Sequence, residues 1–68
     1  MILFYIKAKV SVVVFGISGA SQEGVSVLVR APNREIAKQR FEQHCHERFA
    51  KQQPERLEFD YIEIAYEI

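Results

Sequence analysis

The first fifteen residues decide most of what this chain can become. The even positions Ile2, Phe4, Ile6, Ala8, Val10, Val12 and Val14 are all apolar, and the odd positions turn polar in the middle, at Lys7, Lys9 and Ser11. A period of two sends alternate side chains to opposite faces, so residues 2–16 predict a β-strand with one wholly apolar face. Its valines suit a pleated, packed surface. A strand that long in a 68-residue chain belongs at the centre of its sheet.

The same residues invite comparison with a targeting segment, because Lys7 and Lys9 precede an apolar run and Ser18-Gly19-Ala20 supplies small residues. The strongly apolar stretch 2–6 ahead of the lysines is the reverse of a signal peptide's polar, basic start. The lysines also interrupt a run that would need about 20 apolar residues to cross a membrane. A strand in a cytoplasmic protein, with no membrane partner, is the expectation.

Gly16, Ser18, Gly19, Ser21 and Gly24 predict a reversing loop over 16–24. Alternation resumes over 25–31, with Val25, Val27, Val29 and Ala31 on one face and Ser26, Leu28 and Arg30 on the other. The two strands read as an antiparallel hairpin. Pro32 ends the second strand, and Asn33 is suited to cap a helix beginning at residue 34. Ala37, Phe41, Cys45 and Phe49 recur every four residues and give that helix one apolar stripe, over about 34–52. Gln52, Gln53 and Pro54 stop it.

The last segment has an irregular pattern. Leu57, Phe59 and Tyr61 are apolar on odd positions, then Ile62, Ile64, Tyr66 and Ile68 on even ones. A β-bulge would switch faces there. The preferred reading keeps only 61–67 as strand and makes 57–60 a connection. Residues 57–68 carry Glu58, Asp60, Glu63 and Glu67 without a base, whereas residues 1–22 carry only Lys7 and Lys9. Opposite charges on neighbouring strands favour the third strand beside the first. The expected fold is α+β: a ββαβ two-layer sandwich, one domain over 1–68, with a three-stranded antiparallel sheet in the order 2-1-3 and one helix on one face.

One helix leaves the other face of that sheet open. Leu3, Tyr5, Lys7, Lys9, Ser11, Val13 and Phe15 are expected there from the first strand, Leu28 and Arg30 from the second, and Tyr61, Glu63 and Ala65 from the third. Contiguous exposed apolar groups mark interaction surfaces. A core this small supplies no more than about 3–5 kcal/mol, and a single cysteine offers no internal disulfide to help it. The expected function is a non-enzymatic interaction module, a homodimer built through the open face or an edge strand. A second protein is a further partner, and Leu3, Tyr5, Val13, Phe15 and Leu28 are the interface residues.

The rival reading is single-stranded nucleic acid on Tyr5, Lys7, Lys9, Phe15 and Arg30, since sheet modules stack bases on aromatic groups beside basic ones. Nine basic and nine acidic residues cancel, far from the basic footprint of such domains. His44-Cys45-His46 resembles a metal cluster, but neighbours on a helix diverge by about 100° and cannot converge on one ion. No nucleophile and base, carboxylate pair or phosphate loop stands out. The expectation is no catalytic residue, no metal, no cofactor and no small-molecule substrate.

Overall fold

A computed structural model describes residues 1–14 and 20–67, the side chains of Ala20 and Glu67 excepted. Strand β1 (Ile2–Val13) is followed by β2 (Ala20–Ala31), helix α1 (Arg34–Arg48), a 3-10 turn (Ala50–Gln52) and strand β3 (Arg56–Glu67). The three strands form one antiparallel sheet in the order β2-β1-β3, with α1 packed on one face. The fold is the ββαβ α+β architecture that the patterning predicts.

The even side chains of β1 build the core. Phe4, Ile6, Ala8, Val10 and Val12 are buried, together with Val25, Val29 and Ala31 of β2 and Ala37, Phe41, Cys45 and Phe49 of the helical segment. Ala8 lies opposite Tyr61 in the β1–β3 register and has no side chain beyond Cβ. That leaves space for the Phe41 ring, which packs against Tyr61 at 5.8 Å and edge-on to Phe59 at 6.2 Å between centroids. Aromatic pairs in these geometries add roughly 0.5–1.5 kcal/mol beyond the area they bury.

Local chemistry sets the ends of the helix. The Asn33 side chain accepts a hydrogen bond from the Ile36 N–H at 2.9 Å, and Glu35 lies in the positive first turn. The helix ends at Arg48 rather than 52, and the chain tightens into the 3-10 turn. Gln53 then takes a left-handed conformation at φ 49°. Pro54 bars Gln53 from the helical region, so the α-helix cannot run on.

Three strand boundaries differ from expectation, the first being β1, which ends at Val13 with Val14 outside the strand. β2 begins at Ala20, not 25, because Ala20 through Gly24 pair in unbroken register with Val13 through Lys9. Their composition is poor for a strand, and the valine-rich partner imposes the conformation. β3 begins at Arg56, not 61, and the face switch is a bulge. The register shifts between Lys7 and Ala8: Glu63 pairs with Lys7 and Tyr61 with Ala8, leaving Ile62 as the inserted residue. Leu57, Phe59 and Tyr61 therefore face the helix together with Ile64. Tyr61 accordingly leaves the open face assigned to it from alternation alone.

Removing the inserted Ile62 restores strict alternation along β3 and keeps Tyr61 on the helix side. Deleting Ile62 should leave a cooperatively unfolding protein with slow amide exchange on both sides of the deletion. Loss of protection over 56–60 would show that the register is anchored elsewhere. Phe41→Ala should destabilise by about 3–5 kcal/mol in urea unfolding, close to the whole stability of a chain this size.

Candidate functional site

Length decides what the helix can cover. Twelve-residue strands span about 40 Å, whereas a 15-residue helix spans about 22 Å. The second face of the sheet has no layer upon it among the described residues. The β1 residues Leu3, Tyr5, Ser11 and Val13 are half-buried there by their neighbours, while Lys7 and Lys9 are exposed. Leu28, opposite Tyr5 in the β1–β2 register, is 57% exposed. Ala65 lies on the other side of Tyr5, so Leu28, Tyr5 and Ala65 form an apolar row across all three strands. Phe15, the fifth expected interface residue, lies outside the described residues.

The middle of this face is charged. Lys7 is opposite Glu63 and Lys9 opposite Asp60, while Ser11 receives a hydrogen bond from Gln22 at 3.3 Å. Carboxylates across from both lysines offset the field that a phosphate backbone would need. Arg30 is exposed at the far end, opposite Leu3. Of the residues of the nucleic-acid reading, Tyr5, Lys7, Lys9 and Arg30 share this face, and Phe15 lies outside the described residues.

Ile62 belongs to this surface although alternation alone places it elsewhere. It is 53% exposed and, with Lys7, Lys9, Gln22, Glu23 and Gly24, lines a shallow concavity of about 390 Å³. The signal for it was the face switch after Tyr61, which a bulge resolves by turning the extra residue outward. The floor of the concavity is low at Gly24, where an added Cβ would meet nothing within 4 Å.

The helix locks onto both ends of β2. The Arg40 guanidinium donates to the Arg30 carbonyl. Arg48 pairs with Glu23 at 2.7 Å, both partly exposed, which limits the pair to roughly 1 kcal/mol at most. On the β3 side Tyr61 donates its hydroxyl proton to Glu42, and the Lys38 ammonium sits 4.8 Å from the Tyr61 ring centroid. Burial pushes the Tyr61 hydroxyl well above the usual tyrosine range, and its hydrogen bond to Glu42 pushes further. This cluster fastens the helix to the sheet.

The Cys45 thiol is buried in the core, and burial raises its pKa to about 11 against a smaller lowering by Arg48. His44 and His46 flank it in sequence but are exposed, and His46 stands edge-on to Phe59 at 6.3 Å. Among the described residues no three His, Cys, Asp or Glu side chains gather where they could hold a metal ion. None of the described helices is long and apolar enough to cross a membrane. The chain matches no protein-family model, no curated protein and no solved structure.

The raised thiol pKa has a signed consequence. Cys45 keeps its proton in the folded state above pH 9, its ordinary value, so its contribution is complete below pH 9 and is lost as pH rises toward 11. Urea-unfolding free energies should fall across that window by an amount on the order of 2 kcal/mol, and less steeply in Cys45→Ala. An Ellman's-reagent assay at pH 8 should label the thiol only as fast as the protein opens. Rapid labelling of the native protein would place the thiol outside the core.

Proposed function

We propose that this protein is a small non-enzymatic interaction module that works as a homodimer in the cytoplasm, assembling through the side of its sheet that the helix leaves free or through an edge strand. The observation that carries this reading is the apolar row on that side: exposed Leu28 beside half-buried Tyr5 and Leu3, with exposed Ile62 on β3 and half-buried Val13 beyond the charged middle. Exposed apolar groups gathered on one face mark an interaction surface. Association also adds burial that a core of this size lacks. A second protein on the same surface is the further form of this proposal.

Sedimentation equilibrium from ten to several hundred micromolar tests it. The expected result is a mass rising toward twice the 7.9 kDa of one chain. A mass that stays at one chain throughout would overturn the homodimer. Anisotropy with labelled single-stranded oligonucleotides at low salt tests the rival reading in the same samples. Lys7→Glu with Lys9→Glu removes the basic groups that a phosphate backbone would meet and sets like charges opposite Glu63 and Asp60. Salt-sensitive oligonucleotide binding by the unsubstituted protein, lost in this variant, would favour the rival.

A further inference from the structure

We propose that two copies of this chain pair through the outer edges of β2, antiparallel about a two-fold axis at Ser26, with Leu28 of each copy seated over Gly24 of the other. This rests on the self-association argued above and assigns it a surface and a register.

The two edges of the sheet are not equivalent. β3 carries the Ile62 bulge and the charged residues Arg56, Glu58, Asp60, Glu63 and Glu67, the devices that keep an edge from pairing. Residues 24–28 of β2, Gly-Val-Ser-Val-Leu, have no charge, no proline and no irregularity in their pairing with β1. On either side of that stretch the edge is occupied by the helix, through Arg48 on Glu23 and Arg40 on the Arg30 carbonyl.

The ladder shows which backbone groups face outward. The Glu55 N–H bonds the Val13 carbonyl at 2.7 Å, so Val13 faces β3, and alternation along β1 turns its odd residues toward β3 and away from β2. Gly24, Ser26 and Leu28 lie opposite the odd residues Lys9, Lys7 and Tyr5, so they direct their N–H and C=O groups outward. Among the described residues no bond from outside the strands reaches those groups. An edge strand with unpaired groups is a template for another strand.

Self-complementarity then selects the register. A stretch running from 24 to 28 pairs wholly with itself only when centred on 26; any other antiparallel register drives one end against Glu23 or Arg30. Centring on Ser26 sets Ser26 against its own copy and Leu28 against the partner's Gly24, twice by symmetry. That forms three pairs of residues exchanging both backbone bonds. Leu28 is the most exposed side chain of the apolar row, and Gly24 opens the concavity beside Lys9 and Ile62. A projecting residue and a recess four positions apart on one strand form a self-complementary patch, as a two-fold interface requires. The product is a six-stranded sheet with both helices on one face.

Sedimentation equilibrium and far-UV circular dichroism on the full chain, unsubstituted and in three variants, test the proposal. Ser26→Pro removes an outward N–H that the ladder with β1 does not use, and proline is tolerated at such edge positions. Gly24→Val fills the recess with a strand-forming side chain that meets nothing in its own chain at Cβ, so it folds even where the proline variant fails to. Each should weaken association by about tenfold or more. Leu3→Ser, on the open face outside the paired stretch, reports on face-to-face association and should weaken the dimer less than either. A dimer insensitive to Gly24→Val and lost in Leu3→Ser would overturn the edge pairing while leaving self-association standing. An unsubstituted chain that stays monomeric overturns both.

Discussion

Everything in this molecule is arranged around one strand that is hydrogen-bonded on both sides but buried on only one face. β1 gives its backbone groups to β2 and β3, and gives Phe4, Ile6, Ala8, Val10 and Val12 to the core beneath α1. That satisfies its polar backbone and its even side chains together. It does nothing for the odd side chains, and among the described residues there is no second α-helix to place over them.

The helix compensates for being shorter than the sheet by fastening itself at its margins. Arg40 and Arg48 reach the edge of β2, and Glu42 and Lys38 hold Tyr61 on β3. Between these anchors the stripe of Ala37, Phe41, Cys45 and Phe49 supplies the apolar contact. The small residues Ala8, Ala31 and Ala37, each fully buried, let helix and sheet approach closely around the Phe41 ring. The anchors have a second effect: they occupy both ends of the β2 edge and leave a short uncharged stretch between them.

Much of this is legible before any coordinates. The alternation in β1, the proline and asparagine before the helix, and the four-residue spacing of its stripe each reflect a local rule that the tertiary structure obeys. The opposed charges of the first and last segments place β3 beside β1, and Lys7 does lie opposite Glu63. The polar residues 20–24 and the connection-like residues 57–60 mislead, because their strand conformation comes from pairing with β1 and not from their own preferences. Of the expected interface, Leu3, Tyr5, Val13 and Leu28 lie on the open face as alternation requires, but only Leu28 protrudes from it. How far a side chain protrudes depends on its neighbours across two strands, which periodicity along one strand does not encode.

By itself, then, the sequence determined the elements, their order in the sheet and the face that packs, since each follows from period, charge or a capping residue acting over a few positions. Only the tertiary structure decided the bulge at Ile62, the transfer of Tyr61 to the helix side and the recess at Gly24. Those depend on which residue of one strand meets which residue of another. A shift of one position in that register sends a side chain to the opposite face.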